Sequence, residues 1–133
     1  MNKRNLLIGF AIGVLVLASI ACDASASTAN ISSATLTSDS AGATPTTSYA
    51  PDATFYCAVA LANAPDTTKV KAVWYTVDDA GATTQIAEKE IVGSGTPIIF
   101  NASNSAGPWP TGKYRVEVYL NDKLDKTLDF AVQ

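Results

Sequence analysis

With 133 residues the chain is sized for one domain, and 47% of it is hydrophobic against 16% charged, enough to fill a core without covalent staples. Twelve acidic residues outweigh nine basic ones, and this lack of a basic excess argues against nucleic acid as a partner. There is no histidine, and the only cysteines are Cys22 and Cys57, so the usual ligand sets of zinc and most transition metals are missing and neither metal nor cofactor is expected.

Residues 1–5 carry Lys3 and Arg4, and residues 6–21 then run without a charge, a positive n-region followed by an apolar h-region. The run falls short of the roughly 20 apolar residues that a spanning helix needs, and it ends in small residues before Cys22 and Asp23, which suits cleavage better than anchoring. Residues 1–21 are therefore read as a signal peptide. The stretch Leu17-Ala18-Ser19-Ile20-Ala21-Cys22 resembles a bacterial lipobox, in which the cysteine becomes acylated and forms the new N-terminus. Ser19 departs from the leucine usual at that place. The rival site is Ala24-Ser25-Ala26, an A-x-A sequence whose cleavage would release a soluble protein. The lipobox is preferred because cysteine is rare here and falls at the end of the apolar run. Acylation at Cys22 implies export and anchoring to the outer face of the cytoplasmic membrane or the cell envelope. Several acyl chains hold a protein where one would bind only marginally. No basic cluster follows to grip anionic head groups, so attachment rests on the acyl chains alone. Loss of Lys3 and Arg4 leaves seven basic against twelve acidic residues, a net charge of −5. Residues 22–30 are small and polar and read as a flexible tether.

From Ile31 onward short β-type runs alternate with Gly, Pro, Asn and Asp clusters, and no helical period is sustained. Strands are predicted over 31–38, 53–61, 69–77, 84–92, 97–102, 113–120 and 124–132. This is the spacing of an all-β, seven-stranded antiparallel sandwich filling 31–133. In the second run Phe55, Cys57, Val59 and Leu61 share one face. Cys57 should therefore point into the core as a small hydrophobe, with no histidine to activate it. The third run is apolar on both faces over its middle, as in a central strand, with Val70, Ala72 and Trp74 inward. Asp78-Asp79 before Gly81 reads as a solvated turn rather than a calcium loop. Glu88 and Glu90 share a face of the fourth run, as on an edge strand kept apart from other edges by charge. The glycine-containing 92–96 segment leads into a strand, so it is no phosphate loop.

The last two strands should form a hairpin with Tyr114, Val116, Val118 and Leu120 facing inward beside Leu124, Leu128, Phe130 and Val132. Apolar faces match only if paired numbers have the same parity. The parity rule predicts Leu120 opposite Leu124 around a three-residue turn, with Arg115 opposite Asp129. Lys126 interrupts the inward pattern and marks either a snorkelling rim position or a bulge.

A tryptophan in the 69–77 strand, the Pro110-Thr-Gly-Lys-Tyr114 entry to an alternating strand and a closing hairpin ending Asp-Phe-Ala-Val resemble immunoglobulin and fibronectin type III domains. They resemble in particular the single such domain of small bacterial lipoproteins. The resemblance implies a tyrosine corner at Tyr114. The inter-sheet disulfide of antibody domains is absent, since only Cys57 lies in the domain.

No nucleophile with a base, carboxylate pair or metal cluster is visible, and the chain is read as non-catalytic. The candidate binding surface is aromatic: Tyr75 and Tyr119, outward on neighbouring strands, with Trp109 either extending that surface or capping the core. The expected role is a lipid-anchored cell-surface module binding a protein or a glycan, the alternative a structural spacer or envelope accessory. Since the tether holds no other anchor, Cys22→Ala should move the protein from the membrane fraction to the soluble one. Retention in the membrane after a carbonate wash would contradict acylation at Cys22.

Overall fold

A computed structural model describes residues 28–133. The expected signal peptide, the lipobox with Cys22, the rival Ala24-Ser25-Ala26 site and most of the tether lie outside the described residues. Within them the fold is all β and without a helix: β1 (Asn30–Thr37), β2 (Ser48–Tyr49), β3 (Phe55–Ala62), β4 (Lys69–Val77), β5 (Thr83–Val92), β6 (Ile98–Ala102), β7 (Gly112–Leu120) and β8 (Lys123–Val132). One sheet has the order β1-β3-β6 and the other β2-β8-β7-β4-β5. Their inner faces meet in one hydrophobic core.

The seven predicted strands are all present, and the count is corrected by an eighth. β2 pairs in parallel with β8, Ser48 with Ala131 and Tyr49 with Val132, so the five-stranded sheet is mixed and not purely antiparallel. Two residues are too short for any alternation to show in sequence. What holds them is a side chain. The buried Tyr49 hydroxyl donates to the Thr37 carbonyl at 2.7 Å and reaches the Tyr56 carbonyl at 3.2 Å, tying β2 to β1 and β3 across the sandwich. The turn leading there packs on the outside of the three-stranded sheet. A Cβ at Gly42, φ +73°, would meet Ile99 Cδ1 at 2.9 Å and Ala58 Cβ at 3.0 Å, so both the backbone conformation and the space require glycine.

Period-two alternation places the core as expected: Phe55, Cys57, Val59 and Leu61 on β3, and Val70, Ala72 and Trp74 on β4, are buried. Tyr114, Val116 and Val118 on β7 and Phe130 and Val132 on β8 lie beside the β4 residues on one inner face and meet the β3 residues across the core. Val73 is buried on the other face of β4, as befits the strand flanked by β5 and β7. β5 is the sheet edge, with Glu88 and Glu90 exposed on it.

The β7–β8 hairpin departs from its predicted register at one end only. Arg115 faces Asp129, as the parity argument requires, but Leu120 faces Lys123 and Tyr119 faces Leu124. The turn is therefore the two residues Asn121 and Asp122, with φ of 49° and 70°, the left-handed pair that a type I′ turn demands. Asn121 locks it to β4, donating its N–H to the Lys69 carbonyl at 2.9 Å and accepting the Lys69 N–H on Oδ1 at 3.0 Å. Parity is restored by a bulge where Val118 pairs with Lys126 and Tyr119 with Leu124, leaving Asp125 unpaired. The bulge is the one that Lys126 signalled. It also turns Leu124, predicted inward, onto the outer face at 52% exposure.

If β2 is held chiefly by its hydroxyl, Tyr49→Phe should cost about 1–2 kcal/mol, the loss of a buried bond with its acceptors left behind. The denaturant midpoint reads this, and an unchanged midpoint would assign the β2 position to ring packing alone.

Candidate functional site

The outer face of the five-stranded sheet carries the aromatic pair. Across β4 and β7, Lys71 faces Tyr119, Val73 faces Glu117 and Tyr75 faces Arg115. Residues of one parity point the same way, so Tyr75 and Tyr119 share this face with Glu117 between them. The Tyr119 hydroxyl donates to Glu117 Oε1 at 3.1 Å. Burial, followed by the nearby Glu117 carboxylate, pushes the Tyr75 hydroxyl up to about 12, and the same two causes raise Tyr119. Lys71 Nζ lies 4.8 Å from the centre of the Tyr119 ring and 3.9 Å from Glu88 Oε1. Arg115 Nε donates to Asp129 Oδ1 at 2.8 Å beside Tyr75. Leu124, brought outward by the bulge, stands opposite Tyr119 and adds an apolar border.

The structure thus brings two of the three predicted binding residues together. Trp109 belongs elsewhere. Its ring stacks on Phe55 at 4.6 Å and 18°, its Nε1 donates to the Ala53 carbonyl at 2.9 Å, and it is 8% exposed. Of the two roles expected for it, Trp109 fills the one that caps the core. Lys71 and Leu124 are the members of the face that sequence reasoning missed. Lys71 could have been placed by pairing the 69–77 and 113–120 strands, whereas Leu124 depends on a bulge that Lys126 signalled without fixing its position.

The remaining polar groups serve the fold. The Tyr114 hydroxyl donates to the Pro110 carbonyl at 2.6 Å, forming the expected corner. Asp78 Oδ1 accepts the N–H groups of Ala80 and Ala82 at 2.9 and 2.8 Å, which makes it a turn former. Cys57 is fully buried, and burial pushes its thiol up to about 12. Among the described residues no three of His, Cys, Asp and Glu gather as metal ligands would.

No protein-family model matches the chain, and no curated protein matches it. Its fold is shared. Part of the Pseudomonas fluorescens alkylpurine DNA glycosylase AlkC, solved bound to DNA containing an abasic site analog, superposes with a TM-score of 0.51 at 13% sequence identity over 79% of this chain. The chain spans only 30% of that protein, and at this identity the likeness is one of fold. It nevertheless corrects one expectation. Nucleic acid was set aside on the acidic balance alone, yet this fold occurs in a protein solved on DNA. Net charge is a sum over the whole surface, whereas phosphates are contacted by a local set of donors; the balance does not exclude the class.

Because the Cys57 thiol in the fold ionises near 12, above its ordinary value of 9.0, its contribution to stability is complete below about pH 9 and is lost as pH rises towards 12. Cys57→Val, which keeps the volume, should flatten that part of the alkaline unfolding curve, leaving the part due to Tyr49, also pushed up to about 12. A curve identical to wild type, or rapid labelling of the native thiol, would contradict the burial.

Proposed function

We propose that the chain is an exported, lipid-anchored interaction module. In this reading an immunoglobulin-like sandwich, tethered through acyl chains on Cys22, presents the outer face of β4, β7 and β8 to a protein or glycan. The observation that carries the reading is the cluster of Tyr75 and Tyr119 around Glu117, bordered by Lys71 and Leu124. Half-buried tyrosines held in place by a carboxylate lose little freedom on binding, and aromatic anchors of this kind dominate interface energetics. The Trp74 core position, the Tyr114 corner and the two facing sheets support the immunoglobulin-like assignment. A non-catalytic role is supported by the burial of Cys57 and by the engagement of Asp78 and Glu117 in the turn and the tyrosine cluster.

A specific observation favours the spacer alternative. Most charges on the face are already matched internally, Arg115 by Asp129, Lys71 by Glu88, and the Tyr119 hydroxyl by Glu117, so the face is stable without a ligand.

The two readings separate in a capture experiment with tagged full-length protein, wild type against a Tyr75→Ala/Tyr119→Ala variant. Solubilised envelope, a glycan array and a duplex with an abasic site are offered in parallel. A module should show a partner whose binding falls at least about tenfold in the variant, the scale of losing an aromatic anchor. Equal binding by both proteins, or none by either, would favour the spacer. A duplex captured in the same tyrosine-dependent way would move the partner class to nucleic acid.

A further inference from the structure

We propose that the open edge of β8 is a docking site for one extended peptide strand, distinct from the tyrosine face. The N–H and C=O of a strand residue point to the same side and alternate along the chain. The N–H groups of Ala131 on β8 and of Gln133 just after it donate to the Thr47 and Tyr49 carbonyls, away from β7. Thr127 and Asp129 have the same parity and lie on the same side of the bulge, so their backbone groups point the same way. β2, the only strand on that side, stops at Ser48. Among the described residues, two donors and two acceptors are thus left unpaired at two-residue spacing, about 6.6 Å along the strand. That spacing is the hydrogen-bonding complement of an extended backbone.

Beside this edge runs a groove of about 500 Å³ between β1 and β8. Its floor is apolar, formed by Leu36, Leu128 and Ala34, and the segment from Pro45 to Thr47 closes one end. The chain already demonstrates the mode of binding, because β2 adds to the same edge in parallel. The chain's own segment leaves this edge for β1, the Thr46 N–H donating to the Leu36 carbonyl at 2.9 Å and Pro45 bridging to Thr37. The opposite edge of the same sheet is different. β5 carries Glu88, Lys89 and Glu90 in succession, the charged form in which edges repel other strands. Strand addition of this kind draws affinity from main-chain bonds and selectivity from alternate side chains. The occupant is therefore a peptide with β-branched or small apolar residues towards the groove and polar ones outward.

The test is amide exchange followed residue by residue in purified full-length protein, with a blocked peptide alternating valine and threonine as probe. Without peptide, Thr127 and Asp129 should exchange fast and their neighbours Leu128 and Phe130 slowly. With it, exchange at Thr127 and Asp129 should slow by about tenfold or more. Thr127→Pro removes an edge donor that β7 does not use and should abolish the protection. Should that variant fold poorly, the same peptide N-methylated at every residue, which leaves a donor on neither edge, should give none when offered to wild type. No protection at millimolar peptide, equal protection by the N-methylated peptide, or protection at the β5 or β6 edge instead would overturn the proposal. So would protection that rises with protein concentration in the absence of peptide, which would assign the edge to a second copy of the chain.

Discussion

The ring of Phe55 holds the sandwich together. It is fully buried at the start of β3 and meets five other rings, those of Tyr49, Trp74, Trp109, Tyr114 and Phe130, with centroids 4.6 to 5.9 Å away. Four of the five belong to the opposite sheet and the fifth, Trp109, to the loop that closes the end of the core, so one side chain from the three-stranded sheet makes the inter-sheet contact that a disulfide makes in antibody domains. Tilted and edge-on aromatic pairs contribute about 0.5–1.5 kcal/mol each beyond their buried area. Because they share a ring, these contributions are coupled rather than independent. A domain whose only described thiol is free depends on such a cluster for what covalent bonds would otherwise supply.

From this constraint the rest of the geometry follows. Trp109 is drawn under its proline-flanked loop because Phe55 offers a flat partner, and that removes it from the surface. Tyr49 is drawn inward by Phe55 and Phe130, and its hydroxyl then fixes a strand of two residues. With the large rings committed to one end of the core, the outer face of β4 and β7 is left with Tyr75 and Tyr119. Their hydroxyl groups cluster at Glu117 rather than entering the interior.

The strands were legible in sequence because each buries one face, and burial writes a period of two into the chain. The Arg115–Asp129 pairing, the inward Cys57 and Trp74 and the Tyr114 corner all came from that period or from the turn chemistry beside it. What escaped were features without periodicity. β2 is set by a hydrogen bond from Tyr49 to a residue twelve positions away. The Asp125 bulge is set by the two-residue turn that Asn121 pins to Lys69, a contact across 52 positions. Leu124 changed sides because local pattern assigns a side chain to a face and a long-range contact can reassign it, while Trp109, open between surface and core in sequence, is decided by its stacking on Phe55. Tyr75 and Tyr119 were placed correctly because β4 and β7 pair with each other without a shift, the extra residues of the adjacent bulges lying on β5 and β8.

β1 starts beside Ala62, at the end of the sandwich that holds the Asn121-Asp122 turn, and β8 finishes beside Gly112 and Tyr49 at the other. The two strands nearest the ends of the described chain therefore leave in opposite directions along the long axis. A pull applied between them runs parallel to the strands and loads the β1–β3 and β7–β8 ladders in shear, so that many hydrogen bonds must fail together instead of opening one after another like a zip. Mechanical resistance in this domain therefore comes from the direction of its strands as much as from the depth of its core.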